Sequence, residues 1–223
     1  MEDNSSPFVI TIGRQTGSGG RQIGKALAQH FGIAYYDKTV LSQAAEDTGL
    51  GRNVFHNTGD RKGFLRQFIG AVQPFIGGGD FYASPLSDDN IFSLQSGVIR
   101  KLAADHSCVI VGRAADHILK EHPRCVKIFL AAKTEEKARR VMDENKIDYK
   151  SALRTMNHND EQRASYYNFY ADGTWGNADT YDLCINVSSL GYEGTLSFLI
   201  NFISAKLNLP DPLENTPPIR GVY

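Results

Sequence analysis

The sequence contains no long apolar segment and no excess of charge of either sign. No apolar run approaches the ~20 residues that a membrane-spanning helix needs, so no membrane partner is expected. Lys and Arg total 24 and Asp and Glu total 25 among 223 residues, which gives a formal net charge of -1. Because there is no basic excess to neutralise a phosphate backbone, a nucleic acid polymer is not an expected partner. The start, MEDNSSPF, lacks the basic and then apolar pattern of a secretory signal, so the predicted location is the cytoplasm.

Cysteines and paired metal ligands are also scarce. The three cysteines, Cys108, Cys125 and Cys184, lie far apart, each within an apolar run. This pattern is typical of buried free thiols in strands. The six histidines show no paired spacing, so no structural metal is expected.

The sequence does contain a regular alternation of strand-like and helix-like segments. Apolar runs predict five strands, at 8–12, 33–36, 108–112, 126–131 and 183–187. Continuous Val, Ile and Leu runs indicate strands that are covered on both faces, as in a parallel sheet. We therefore predict a single α/β domain over residues 1–223, with a five-stranded parallel sheet and helices on both faces. In such a sheet a ligand is expected at the carboxyl ends of the strands.

Two segments break this alternation. Residues 51–90 contain GGG and SPLSDD, and we interpret them as an insertion or flap. Residues 209–223 are rich in proline and lack periodicity, which predicts an extended tail. A homodimer that packs through this tail is one assembly that the sequence allows.

The stretch VITIGRQTGSGGRQIGK, at 9–25, joins the first strand to the first helix through glycines. Such a loop lets backbone N–H groups close around an anion, and the helix N-terminus adds partial positive charge. The predicted phosphate-binding residues are Gly13, Arg14, Thr16, Gly17, Ser18, Gly19, Gly20, Arg21 and Gln22. A glycine-rich turn without a ligand has the same local pattern, so the loop alone leaves both interpretations open.

The loop departs from the usual pattern G-x-x-x-x-G-K-[ST]. Gly20 stands in the place of the lysine, and Arg21 and Gln22 follow it where a hydroxyl is expected. Arg21 is therefore the candidate to supply the lysine's charge, although its longer, planar head will not occupy the same position. Magnesium would need another anchor, and Thr16 and Ser18, acting through water, are the candidates.

Taken together, the motifs resemble those of nucleoside monophosphate kinases, and most closely the cytidylate kinase-like family. The likeness covers roughly residues 8–205 and rests on ITIGRQTGSGGRQIGKALA, YYDKTVLSQAA, CVIVGRAADHIL, VKIFLAAKTEEKARRVM, DEQRASYYNFY and YDLCINVSSLG. It implies a sheet of the P-loop nucleoside monophosphate kinase type, with a lid at 148–176 and an insertion on the acceptor side. It also implies ATP with Mg²⁺ as the phosphoryl donor and a small-molecule acceptor, such as CMP.

The resemblance implies that two residues at the predicted sheet edge bind the acceptor. Asp37 follows the second strand, where the acceptor pocket of these kinases lies, and it could equally cap the next helix. Arg113 follows the third strand, where an arginine of these kinases holds the acceptor's phosphate through its planar fork. A structural ion pair is the alternative for Arg113. Ala114 stands where cytidylate kinases have aspartate, and Asp116 lies two residues later.

The resemblance also implies catalytic arginines in the lid. Arg154 and Arg163, together with Arg21, are the candidates to offset charge on the transferring phosphoryl group. A charge-rich helix that is only solvated is the alternative. Three tyrosines share the helical face of Arg163, and packing is a commoner role for such a stripe than stacking on a base: Tyr166, Tyr167 and Tyr170.

Three functions are compatible with these residues. The first is ATP-dependent phosphorylation of a nucleoside monophosphate. The second is a nucleotide-binding module of kinase ancestry with little or no catalysis. The third is a kinase of another small metabolite, because related loops serve many acceptors.

Overall fold

Five strands form one parallel sheet at the centre of the protein. The computed structural model describes residues 6–39, 41 and 88–209. The strands are β1 (Val9–Arg14), β2 (Ala34–Tyr36), β3 (Cys108–Val111), β4 (Cys125–Ala131) and β5 (Leu183–Asn186). They pair in the order β2-β3-β1-β4-β5, and every pairing is parallel. The predicted five-stranded parallel sheet is confirmed, and each strand lies within two residues of its predicted bounds.

Six helices of the described residues surround this sheet. They are α1 (Gly20–Phe31), α2 (Asp88–Asp105), α3 (Ala115–Ile118), α4 (Thr134–Asn145), α5 (Tyr149–Tyr170) and α6 (Val187–Leu207). The predicted insertion at 51–90 lies outside the described residues except for its last three, which begin α2. The predicted tail at 209–223 likewise lies outside them, apart from its first residue.

The core has two layers because both faces of the central strands are covered. Within β1, Val9 faces a cluster formed with α2 and α3, whereas Ile10 and Ile12 face a cluster formed with α1 and α6. The same alternation occurs in β3, where Ile110 belongs to the first cluster and Val109 to the second. Helices therefore lie on both faces of the sheet, as the continuous apolar runs predicted.

The last strand departs from that prediction. β5 pairs only with β4, so it is an edge strand, and its side chains alternate between half-buried and exposed. The expectation that all three cysteines are buried is therefore wrong for Cys184, which is exposed, while Cys108 and Cys125 are buried. An apolar run does not reveal whether a strand lies at the centre of a sheet or at its edge.

No helix among the described residues has both the length and the apolar character needed to cross a bilayer.

Candidate phosphate-binding site

The carboxyl ends of β1, β2 and β3 bring the predicted site residues to one edge of the sheet. Ile12 of β1 lies in register with Val111 of β3, so Arg14 and Arg113 leave neighbouring strands at the same level. Asp37 follows directly after β2, the next strand along this edge. Because parallel strands all end on the same side, residues that are distant in the chain meet here.

The chain turns sharply where β3 ends. Gly112, Arg113 and Ala114 all have positive φ, at 82°, 62° and 51°. Such backbone costs about 1–3 kcal/mol at a residue other than glycine and occurs most often at functional sites. The turn directs Arg113 towards α5, where its guanidinium lies 5.9 Å from the centre of the Tyr166 ring.

Hydrogen bonds from side chains of α4 hold the glycine loop between β1 and α1 in place. Arg140 donates a 2.9 Å hydrogen bond to the carbonyl of Gly17, and Lys137 donates one of 2.9 Å to the side-chain oxygen of Gln15. Gly17 has φ 78°, and a Cβ at this position would lie 2.6 Å from the carbonyl oxygen of Lys137. Only glycine therefore fits at position 17, where the loop touches α4.

α1 begins at the end of this loop, and no side chain caps its N-terminus. Its N-cap is Gly19, and its first turn contains no acidic residue. The first backbone N–H groups of a helix have no intrahelical partner, and they carry the positive end of the helix dipole. This end of α1 is therefore suited to an anion.

Two clefts adjoin the loop. The loop cleft, of about 230 Å³, is lined by residues 14–17 and 19–22 and, on the opposite side, by α4 and α5. The arginine cleft, of about 420 Å³, is lined by Arg14, Arg21, Lys38, Val111, Arg113, Asn159, Gln162, Arg163 and Tyr166. Both clefts are lined by Arg14, Arg21, Asn159 and Arg163, so these four residues stand between them.

The arginine cleft is strongly cationic. Five of its lining residues are arginine or lysine, and none of its lining residues in the described part of the chain is a carboxylate. Burial, together with the charges of Arg163 and Arg21, lowers the pKa of Arg14 to about 9, although Tyr35 and Asp37 oppose the shift. Burial, followed by the charge of Arg113, also lowers the pKa of Lys38. The cations repel one another, so an anion that enters this cleft is stabilised by all of them.

Arg163 is fixed by a small polar network that joins α5 to the loop. Its guanidinium donates hydrogen bonds of 2.6 Å to the Thr16 hydroxyl and 2.8 Å to the Asp160 carboxylate. Asp160 also accepts from the backbone N–H of Thr16 at 2.8 Å and from its hydroxyl at 2.6 Å. Burial lowers the pKa of Arg163, and Asp160 opposes that shift. The network holds a cation from α5 against the loop.

Arg21, which lines both clefts, forms a looser pair with Asp37. The Arg21 Nε lies 3.7 Å from the Asp37 carboxylate, and the Arg21 side chain is 63% exposed. Asp37 also accepts hydrogen bonds from the backbone N–H of Thr39 at 3.0 Å and from the Tyr35 hydroxyl at 3.2 Å. The first of these is the helix-capping contact that the sequence offered as one role for Asp37.

Four of the predicted site residues line neither the loop cleft nor the arginine cleft: Gly13, Ser18, Asp37 and Arg154. The Ser18 side chain is fully buried, and its hydroxyl donates a 2.8 Å hydrogen bond to the carbonyl of Gln15 within the loop. Arg154 is exposed near the start of α5 and donates a 3.0 Å hydrogen bond to the Ser151 hydroxyl. Neither residue is among those that line the loop cleft or the arginine cleft.

The tyrosines of α5 pack against neighbouring elements. Tyr170 stacks on Phe92 of α2, with ring centres 4.0 Å apart and planes 6° apart. The Tyr167 hydroxyl donates a 2.6 Å hydrogen bond to Asp116, which is buried. The packing interpretation of the stripe is therefore confirmed for these two residues, while Tyr166 also lines the arginine cleft.

Sequence reasoning missed four residues of the site. Lys137 and Arg140 anchor the loop from α4, Asn159 of α5 lies between the clefts, and Lys38 lines the arginine cleft. The only signal for the first two was a pair of cations at i and i+3 within TEEKARR, which ordinarily indicates a solvated helix face. Lys38 directly follows Asp37 and could have been included with it.

Comparison with known proteins agrees with this geometry. A family model described as the Cytidylate kinase-like family matches residues 9–189, more than half of the chain. A cytidylate kinase of Methanopyrus kandleri is 26% identical over 219 residues, which span 93% of this chain and 99% of that protein. The crystal structure of an uncharacterized protein from Eubacterium ventriosum has a TM-score of 0.68 at 32% identity, and the match covers 89% of this chain and 98% of that one. The chain belongs to the cytidylate kinase-like family.

Proposed function

We propose that this protein transfers the γ-phosphoryl group of ATP to a phosphorylated small-molecule acceptor, a nucleoside monophosphate, with CMP as the first candidate. The observation that carries the proposal is the arginine cleft, which has five cationic side chains and adjoins a glycine loop at the N-terminus of α1. A donor triphosphate and an acceptor phosphate together bring several negative charges, which such a cleft would balance.

In this proposal the loop cleft holds the donor. The backbone N–H groups of the loop and of the first turn of α1 bind the β- and γ-phosphates of ATP. Lys137 and Arg140 support this role indirectly, because they fix the loop in the conformation that exposes those groups. A phosphate bound at the N-terminus of α1 would take the place of a capping acid, and the first turn of α1 contains no acidic residue.

The arginine cleft holds the acceptor. Arg113 would take the acceptor's phosphate through two parallel hydrogen bonds, and Lys38 would add a second cation. Asp37, which pairs with Arg21 of this cleft and precedes Lys38, would accept a hydrogen bond from the acceptor's sugar or base. The hydrogen bond from the backbone N–H of Thr39 orients its carboxylate.

The reaction requires positioning and charge rather than a protein nucleophile. A phosphate oxygen of the acceptor attacks the γ-phosphorus, the bond from that phosphorus to the β–γ bridging oxygen breaks, and ADP leaves with that oxygen. Arg163 and its neighbours between the clefts would offset the charge that develops on the transferring group. The lid at 148–176, which contains α5, would exclude water from this step.

Magnesium would enter with the nucleotide. Mg²⁺ takes oxygen ligands, retains several waters and is held largely by substrate phosphates. The Thr16 hydroxyl, the Gln22 amide oxygen and the Asp160 carboxylate supply such oxygens in or beside the loop cleft. The described residues contain no group of three or more acidic, histidine or cysteine side chains that could hold a metal ion. Of the two predicted anchors, Thr16 is the better placed, because the Ser18 hydroxyl is directed into the loop.

A coupled ADP-release assay with Mg-ATP tests the proposal. The panel contains CMP, UMP, AMP, GMP and their deoxy forms, together with non-nucleotide phosphates and neutral sugars. We expect turnover with at least one nucleoside monophosphate and none with a neutral acceptor. Turnover with a neutral sugar alone would overturn the proposed acceptor class.

A nucleotide-binding module without catalysis is the second candidate function. It is favoured by one observation, namely that Gly20 replaces the loop lysine and no hydroxyl follows it. Isothermal titration with ATP distinguishes the two candidates. Tight ATP binding without ADP release across the whole panel would support the binding module.

A further inference from the structure

The side chain of Arg14 occupies the space beside the position where the loop lysine is missing. A Cβ on Gly20 would lie 2.8 Å from the Cγ and 2.9 Å from the Cβ of Arg14. These atoms belong to the base of the Arg14 side chain, so they cannot move aside without moving the whole side chain. A lysine at position 20 is therefore incompatible with Arg14 in this position.

The outer end of Arg14 lies against a second glycine. A Cβ on Gly112 would overlap with Nη1 of Arg14 and lie 3.0 Å from its Cζ. Gly112 also has φ 82°, which disfavours any other residue. The Arg14 side chain therefore lies between Gly20 of the loop and Gly112 of the β3 turn. We call the space between these two glycines the glycine slot.

The guanidinium of Arg14 has no partner among the residues that the structure describes, and it makes neither a hydrogen bond nor an ion pair with them. Its neighbours Arg163 and Arg21 carry the same charge. By contrast, Arg163 is bonded to Asp160, and Arg21 lies 3.7 Å from Asp37. The charge of Asp37 raises the pKa of Arg14, but by less than burial and the two arginines lower it. A bound anion would therefore stabilise this partly buried cation.

Arg14 and Arg163 both line the loop cleft, the arginine cleft and a smaller cavity of about 40 Å³. Of the two, Arg14 is the one that lies beside Gly20, the position of the missing lysine. Arg21 lines the two larger clefts from a side chain that is 63% exposed. A long, exposed side chain loses more conformational freedom on binding than one that is already held in a slot.

We propose that Arg14, and not Arg21, is the catalytic cation that replaces the loop lysine, and that Gly20 and Gly112 are glycines because they leave room for its side chain. This inference rests on the proposed phosphoryl transfer. Arg14 contacts the transferring phosphoryl group between the two clefts and offsets the charge that develops on it.

A set of variants tests this assignment through turnover with Mg-ATP and the acceptor found in the panel. Arg14→Met keeps the apolar stem and removes the charge, and we expect kcat to fall by about 10²–10³-fold, as for loss of one transition-state donor. Arg21→Met should lower kcat by less than about tenfold. Arg139→Ala, an exposed arginine of α4 outside both clefts, is the control and should leave kcat unchanged.

The glycine slot gives a second, independent test. Gly20→Ala removes no charge and places a better helix former in α1, yet it should lower kcat because it displaces Arg14. In an Arg14→Gly background, which removes both the Cβ and the Cγ of Arg14, the same Gly20→Ala change should have no further effect. The double variant Arg14→Gly with Gly20→Lys should regain at least about tenfold of the kcat lost in Arg14→Gly, because the lysine then occupies the emptied space.

The inference is overturned if Arg14→Met keeps kcat within about threefold of the wild type, or if Arg21→Met causes the larger loss. It is equally overturned if Gly20→Ala is harmless in the wild-type background. These outcomes leave the proposed phosphoryl transfer intact.

Binding of tripolyphosphate, measured by titration calorimetry, separates failure of the inference from failure of the proposed function. If ATP binds but no acceptor is turned over, the transferase proposal fails, and Arg14 is tested by affinity alone. Arg14→Met should then weaken tripolyphosphate binding by at least about tenfold and by more than Arg21→Met does, and the reverse order overturns the inference. If the wild type binds neither ATP nor tripolyphosphate, both proposals are overturned.

Discussion

The hydroxyl of Thr16 accepts a 2.6 Å hydrogen bond from Arg163, a residue 147 positions further along the chain. Thr16 lies in the glycine loop and Arg163 in α5, so this contact joins the candidate phosphate loop to the predicted lid. Asp160 completes the contact, because it accepts from both residues. The orientation of the Arg163 guanidinium therefore depends on a side chain of the loop itself.

Removal of this hydroxyl should lower both kcat and stability. Thr16→Val keeps the shape of the side chain and the backbone hydrogen bond to Asp160, but it removes the hydrogen bond from Arg163 and the one that the hydroxyl donates to Asp160. We expect kcat to fall by about tenfold or more, since misplaced charge loses transition-state stabilisation. The free energy of unfolding should fall by about 1.5–3 kcal/mol, the usual value for hydrogen bonds to charged groups.

Steady-state kinetics and thermal denaturation of Thr16→Val measure both effects. Thr134→Val, at an exposed threonine that begins α4, is the control and should change neither quantity appreciably. An unchanged kcat in Thr16→Val would show that the bond between the loop and α5 has no part in the reaction.

The anchoring of the loop by α4 predicts a specific loss of nucleotide affinity. Arg140→Ala removes the hydrogen bond to the Gly17 carbonyl, so the loop becomes less ordered before it binds ATP. We expect the Kd for ATP to rise by roughly threefold to tenfold, which corresponds to about 0.7–1.4 kcal/mol. Titration of Arg140→Ala beside Arg139→Ala, its exposed neighbour in α4, isolates this bond from the general effect of removing an arginine. Equal affinities of the two variants would contradict an anchoring role.

Alanine substitution at two glycines with positive φ should lower the free energy of unfolding by different amounts. Gly17→Ala places a residue with a Cβ at φ 78°, with that Cβ 2.6 Å from a backbone carbonyl of α4. The left-handed conformation costs about 1–2 kcal/mol, and forced overpacking adds about 1–3 kcal/mol. Gly32→Ala, at φ 63° with nothing within 4 Å of its Cβ, carries only the first cost.

Urea denaturation of the two glycine variants measures these free energies. We expect Gly17→Ala to be clearly the less stable protein and to bind ATP more weakly as well. If both variants lose the same free energy of unfolding, the loop does not contact α4 as closely as this geometry requires.

Asp116 predicts a pH dependence of stability. Burial raises the pKa of this carboxyl group, and the hydrogen bond from Tyr167 opposes that shift only in part. The folded protein therefore retains the Asp116 proton at pH values where the unfolded chain, with a pKa of about 3.9, has released it. The stability that comes from the protonated form is complete below that unfolded pKa and is lost as the pH rises through the raised pKa of the folded state.

Asp116→Asn keeps an acceptor for Tyr167 and cannot ionise, so it should not show this loss. We expect the Tm of the variant, relative to the wild type, to increase as the pH rises above about 4 and to level off above the raised pKa of the folded state. Thermal denaturation between pH 4 and pH 7, with the exposed Asp179→Asn as a control, measures the trend. A difference in Tm that is flat or declines with pH would show that ionised Asp116 is not penalised by burial.

Much of the fold could be predicted from sequence because its signals are local. Continuous apolar runs predicted β1, β3 and β4 as buried strands, and helical spacing predicted α1 and α2, all of which the structure contains. The same reasoning failed for Cys184, because the position of β5 at the sheet edge depends on strand order and not on the strand's own residues. Asp37 and Arg113 could be placed at the site because each follows directly after a parallel strand.

The sequence by itself determined the parallel α/β architecture and the position of a glycine loop that lacks its lysine. These features follow from hydrophobic periodicity and from glycine, which act over a few residues. Only the tertiary structure decided which cation lies beside Gly20, and which residues of α4 hold the loop. Arg14 is only six residues from Gly20, but its side chain also lies against Gly112, and the contacts of α4 with the loop join residues 122 and 123 positions apart. Side-chain packing and charge, rather than local pattern, select such partners.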